Sequence, residues 1–370
     1  MKPVRFQTVC AAAIVLSIAF LGSIFAPVVS AATARLANVK VAPSVIRPIE
    51  NQTAVISYLA VQEGQTEIVF YSSDFAPVRS IVRNRDPKGL AQVIWDGKDN
   101  LGNILPDGPY FFTIRTRYTT GATAEYDPTL FSGGEKLPVS IYPTDYDPKS
   151  GRITYALPQP ARIRIRAGLH DGPMYSTILD WKSRPAGVHQ VDWDGWSDDR
   201  MVRIAGNPGL VITVEAYSLP ENSIILEDTG VDPALVSQSS GETGAAVYTP
   251  QNVRNYFMVR SRTDESPDFS LLIDGIRPGP DDLVPVSGEV MLKVEADEET
   301  KQALIQNRFE LVVFLDDQRV DEVEYGYIPL TYVLDAGPLD TGEHLVTVSL
   351  VTLTGQHTSR SARIVIRQAK

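Results

Sequence analysis

Apolar and polar positions alternate along this chain in short runs. TEIVFYS (66–72), FFTIRTRY (111–118), ARIRIRAG (161–168), LVITVEAY (210–217), ELVVFLDD (310–317), HLVTVSLVTL (344–353) and SARIVIRQ (361–368) all read as strands, rich in β-branched and aromatic residues. In ARIRIRAG the period of two puts Ile163 and Ile165 inward and Arg162, Arg164 and Arg166 toward water. The 26 Pro and 26 Gly break most windows into pieces too short for helices. One helix is predicted, over Asp297–Asn307, with acidic residues at its start. Short strands separated by turn signals predict an all-β protein built of sandwiches.

The pattern repeats. IWDGKDNLGNILPDGPYFF (94–112) is echoed by VDWDGWSDD (191–199). Tyr58 matches Tyr155 at an offset of 97, and Gly89, Trp95, Asp96 and Gly97 match Gly187, Trp193, Asp194 and Gly195 at 98. Gly108, before one strand, is paired with Gly209, before another. A near-constant offset over separate features marks two copies of one module of about 100 residues. The expected domains are 35–135 and 136–222. A polar, small-residue linker follows at 223–265, and a third sandwich spans 266–370.

Physically, Trp-Asp-Gly is a corner. Asp96-Gly97 reverses the chain after a strand, Gly102 offers a second permissive point, and Gly108 closes a turn before Tyr110. The Trp is expected beneath the corner, in the core, with the Asp accepting hydrogen bonds from turn amides. The order carried by Gly89, Val93, Trp95, Asp96, Gly97, Asp99, Gly102, Leu105, Pro106, Gly108 and Tyr110 resembles the immunoglobulin-like domain of flagellar hook-capping proteins. The second copy keeps Gly187, Val191, Trp193, Asp194 and Gly195. It then departs, with Asp198 for the acid, no Leu-Pro pair and no Tyr after Gly209. The resemblance covers somewhat over half of the chain that follows the leader and leaves the third block outside. It implies tandem immunoglobulin-like β-sandwiches used for assembly and spacing. It does not extend to a hook-capping protein as a whole.

Charge and the N-terminus narrow the setting. Residues 1–34 have the basic start, apolar core and small-residue end of a secretory signal peptide, cleaved after Ala31 or Ala34. The apolar run, about 15 residues, is short of the roughly 20 a spanning helix needs, so no stable membrane span is expected after cleavage. A retained N-terminal anchor is the alternative. Cys10, the one cysteine, lies in this segment, so the mature chain has neither disulfide nor thiol chemistry. Losing Lys2 and Arg5 leaves 32 basic residues against 45 acidic ones, taking the net charge from −11 to −13. That balance disfavours nucleic acid.

Candidate chemistry is sparse. Asp96, Asp99, Asn100 and Asn103 gather oxygens suited to calcium, but not at the spacing of a dedicated loop, and Asp and Asn belong in turns anyway. No metal or cofactor is expected. His170, His189, His344 and His357 lack ligand spacing and read as surface residues. No nucleophile elbow, phosphate loop or zinc-protease helix is present, so an enzyme is not expected. Trp181, Trp196, Tyr325, Tyr327 and Tyr332 are candidate exposed rings. Trp196, beyond the turn glycine, is singled out as a partner contact. The expected function is an exported, non-enzymatic scaffold in the periplasm or at the cell surface, with envelope or surface proteins as partners. Binding of polysaccharide or extracellular matrix through exposed rings is the alternative.

Overall fold

The computed structural model describes residues 34–73, 75–137, 145–231, 266–305, 308–353 and 355–367. All but the last residue of the proposed signal segment and most of the expected linker lie outside the described residues. The described chain is all-β apart from one short α-helix and two 3-10 turns.

The first copy comprises β1 (Ala34–Arg35), β2 (Ala37–Ala42), β3 (Val45–Ile46), β4 (Ala54–Ala60), β5 (Gly64–Tyr71), β6 (Pro77–Asp86), β7 (Gly89–Trp95), β8 (Gly108–Tyr118) and β9 (Thr123–Tyr126). The second comprises β10 (Asp145–Asp147), β11 (Arg152–Leu157), β12 (Ala161–Leu169), β13 (Met174–Arg184), β14 (Gly187–Asp192) and β15 (Leu210–Ser218). After β16 (Ile224–Leu226) comes the third block. It comprises β17 (Ser270–Ile273), β18 (Val284–Val286), β19 (Glu289–Glu295), α1 (Glu298–Ile305), β20 (Phe309–Leu315), β21 (Gln318–Val323), β22 (Leu330–Asp335), β23 (Gly342–Thr352) and β24 (His357–Ile366).

Each copy is two facing sheets. In the first, β2-β4-β7 opposes a larger sheet centred on β5 and β8. In the second, β10-β11-β14 opposes β13-β12-β15. The third block opposes β17-β19-β22 with β18-β24-β23-β20-β21. Three large apolar cores lie between these sheets, and a smaller cluster gathers Val69, Tyr71, Phe75 and Phe111. Strand alternation fills them: Ile163 and Ile165 enter the second core, and Val346, Val348 and Leu350 enter the third. The predicted helix forms as α1, where the Asp297 carboxylate accepts the Thr300 amide at 2.7 Å.

The chain crosses between the first two copies twice. On the way out, Gly134 and Leu137 donate their amides to Ser218 and Ala216 of β15. On the way back, β16 pairs with β8 at residues 108–110 and runs parallel to β3. Ile224 and Leu226 are buried in the first core, although the whole second copy separates them from it in sequence. Each buried aliphatic of this size stabilises by about 1.5–3 kcal/mol. Thr229 extends the return, its amide and hydroxyl both donating to Asp107 at 2.8 Å.

Candidate functional site

The two Trp-Asp-Gly corners share one hydrogen-bond plan. Trp95 and Trp193 are 1% and 6% exposed, core residues as expected. Trp95 stacks on Phe70 at 4.5 Å and meets Tyr110 edge-on at 5.5 Å. Its indole N–H donates to the Lys98 carbonyl at 3.1 Å, and that of Trp193 to the Trp196 carbonyl at 3.0 Å. Asp96 accepts the Lys98 amide, and Asp194 accepts the Trp196 amide. Gly97 and Gly195 take left-handed φ of +73° and +85°. A Cβ on Gly195 would lie 2.3 Å from that of Ala205, so both space and φ require glycine there. Gly89 and Gly187 share a φ of +125°.

Beyond the glycine the copies diverge, and two sequence pairings shift. Asp99 is nearly buried. Its Oδ1 accepts the amides of Leu101 and Asn103 at 2.9 and 2.8 Å, and its Oδ2 accepts the Asn103 side-chain amide. The residue in its place is Ser197, not Asp198: Ser197 Oγ accepts the Val202 amide at 2.9 Å. Asp198 instead does the work of Asn100. Asn100 accepts the Ser80 amide of β6, and Asp198 accepts the Thr177 amide of β13. Gly102 at φ +88° is matched by Arg200, a non-glycine at +64° held by an ion pair to Asp194. Gly209 is not the counterpart of Gly108. Gly108 sits at +139°, whereas Gly209 lies outside the left-handed region and Gly206, at +88°, makes the turn. One extra residue in the second turn, after the glycine, breaks the offset that sequence alignment followed. Ile204 takes the buried place of Leu105, each donating its amide to the corner glycine carbonyl. Tyr110, whose hydroxyl donates to the Pro106 carbonyl, has no counterpart in the second copy.

Among the described residues, no group of three or more His, Asp or Glu side chains is arranged to hold a metal ion. The corner carboxylates accept turn N–H groups, which is the turn chemistry expected of them.

Beside the second corner lies an open cleft of about 580 Å³, lined by Trp193, half-buried Trp196, Asp192, Asp194, Asp198 and Arg200 among others. The other candidate rings differ. Trp181 is packed between the Arg164 guanidinium, 4.5 Å from its ring, and Tyr217. Tyr325 and Tyr327 are exposed on the third block, and Tyr332 is half-buried.

The largest departure from the sequence reading is the arginine row of β12. Arg162 and Arg166 are half-buried, and Arg164 is buried. Arg164 is 5% exposed and is closed in by the third block. Its Nε donates to Glu215 at 3.0 Å, and its Nη1 donates to the Gly355 carbonyl, which also accepts from Arg166 at 2.6 Å. Burial, then the neighbouring Arg164, lower Arg166 to about 10. Burial works to raise Glu215, but the hydrogen bond and charge of Arg164 outweigh it and hold the carboxyl below its usual range.

The opposing face is made of hydroxyls. Thr347 and Ser349 of β23 and Ser359 and Ser361 of β24 are buried. Ser359 donates to the Met174 carbonyl at 2.7 Å, and the Ser361 amide donates to Asp199 at 2.6 Å. The Tyr175 hydroxyl donates to Asp317. His357, expected at the surface, is largely covered here. Burial first, then the charges of Arg166 and Arg164, push it down to about 3. The sequence signal for this junction was two strands, HLVTVSLVT and HTSRSARIVI, rich in Ser and Thr and without Lys or Glu. Small hydroxyls tolerate burial once hydrogen-bonded.

No family model matches the chain, and no curated protein is similar to it in sequence. Among solved structures, FlgD from Pseudomonas aeruginosa is similar over 25% of this chain and 69% of its own, with 27% identity and a TM-score of 0.21. The fibronectin(III)-like modules of Clostridium thermocellum CbhA cover 89% of this chain and 94% of theirs, at 8% identity and a TM-score of 0.20. A solved chain from a 1.5-MDa bacterial ice-binding adhesin covers 90% of this chain and is itself covered to 100%, at 12% identity and a TM-score of 0.18. TM-scores this low assign no function.

Proposed function

We propose that this protein is an exported, non-enzymatic scaffold that holds protein partners at fixed positions in the periplasm or at the cell surface. One observation carries the reading: successive modules are fastened to each other rather than strung on free linkers. The first two are tied by two chain crossings and the buried strand β16. The second and third are tied by the arginine–hydroxyl junction. Modules that move freely need none of these contacts. A spacer needs them, because each fixes an angle.

Binding falls to the exposed sheet edges and loops, which sandwiches present at their ends. The test is a crosslinked pull-down of the mature protein from its own cell envelope, read by mass spectrometry. One or two reproducible protein partners are the expected result. Recovery of no protein above background overturns the scaffold reading.

A further inference from the structure

The cleft at the second Trp-Asp-Gly corner contains a residue the fold does not explain. The corner needs a carbonyl at position 196 to accept the Trp193 indole N–H, and an amide there to donate to Asp194. In the first copy Lys98 supplies both groups with the same geometry. Any residue provides them, because they are backbone groups. The indole ring of Trp196 is therefore surplus to the turn, yet it is half-buried against an open cleft of about 580 Å³.

We infer that this cleft is a binding subsite for a neutral, polyhydroxylated chain, a glycan. Such a ligand needs three things, and the cleft has them. The ring of Trp196 offers a flat apolar face for the C–H face of a sugar. Asp194 and Asp198 offer acceptors for hydroxyls. Each oxygen of Asp198 accepts one protein hydrogen bond, from Ser176 and from the Thr177 amide, and a carboxylate has about four acceptor positions. Arg200 offers a donor, held in place by Asp194.

Charge selects among ligands. Asp192, Asp194 and Asp198 stand against Arg200 in the lining, with Asp192 also paired to Arg152 at 3.0 Å. The excess of carboxylates repels an anionic polymer. A basic peptide would have to place its cation beside Arg200, whereas hydroxyls use both the donor and the acceptors. The site belongs to the second copy alone, since Lys98 replaces the ring in the first. The subsite goes beyond the scaffold reading and stands or falls separately from it.

The test uses mature protein, residues 35–370, with cellohexaose, chitohexaose and mannohexaose as neutral probes, a galacturonate hexamer as the anionic probe and hexalysine as the basic one. Calorimetric binding of at least one neutral hexamer is expected, weakened about tenfold or more in Trp196→Lys, the residue of the first copy, with the Tm unchanged. Trp196→Phe should retain most of the affinity. Saturation-transfer NMR on the wild-type protein serves if the Lys variant does not fold, and should mark the sugar C–H protons. No binding of any neutral hexamer, equal binding by folded Trp196→Lys, or preference for the galacturonate or lysine hexamer overturns the inference.

Discussion

Replacing Ile224 by Ala asks which core the returning strand serves. Ile224 is fully buried, opposite Tyr110 in the β16–β8 register. Cutting a buried Ile to Ala costs about 2–5 kcal/mol, and about 3 is expected here. At 1.4 kcal/mol per tenfold, that speeds exchange of amides that open with the first core by about 100-fold. Hydrogen exchange by mass spectrometry on wild type and Ile224→Ala reads this peptide by peptide. Peptides from β5 and β8 should accelerate by that factor, while those from β11 and β12 change little, although the latter lie closer in sequence. Acceleration confined to residues 220–231 would show that β16 merely rests on the first module. Equal acceleration in both copies would show one cooperative unit. Either result refutes the assignment of β16 to the first core.

Other consequences are open to measurement. Glu215→Ala leaves Arg164 buried without its carboxylate and should cost about 3 kcal/mol by denaturant unfolding, more than either partner's exposure in isolation would suggest. Because Glu215 titrates below its usual range when folded, its stabilisation is complete above the unfolded-state carboxyl range and is lost as pH falls through the folded value; the wild-type advantage over Glu215→Gln should shrink on acidification. His357, pushed down to about 3, works in the same direction at higher pH. The unfolded chain takes up a proton near pH 6.5 that the fold refuses, so wild type should lose about 2 kcal/mol relative to His357→Gln between pH 7.5 and 5. Equal pH slopes for the two would place His357 in solvent. Gly102→Ala, with open space around it, should cost about 1 kcal/mol from φ alone, while Gly195→Ala should cost about 1–3 kcal/mol more because its Cβ meets Ala205. Thermal unfolding of the two variants ranks them.

Much of the local structure was legible along the chain, since it depends on near neighbours. A period of two decides a strand, an Asp-Gly pair decides a corner, and a tryptophan before it decides that something large fills the core beneath. Hence Trp95, Trp193, Gly97 and Gly195 stand where the pattern put them, and the helix at Glu298–Ile305 is capped by Asp297. Alternation reports only that two faces of a strand differ. It is silent on what covers the polar one. Arg164 and Arg166 read as solvent-facing because arginine usually is, and the approach of Gly355, nearly two hundred residues away, helps to cover them. The same limit hid β16. Ile224-Ile225-Leu226 is three apolar residues, too few to declare a partner, and its place beside β8 is decided by the long return of the chain. The Ser197 and Asp198 roles slipped for a different reason: Ser197 keeps the 98-residue offset from Asp99, but the reading followed the acid to Asp198, while the corner needs only an oxygen at that place and a serine hydroxyl supplies it. The sequence alone thus determined the strands, the corners and the repeat, because those are set by backbone and neighbouring side chains. Tertiary structure alone decided how the modules are joined, because burial is a property of pairs of surfaces that the order of residues does not bring together.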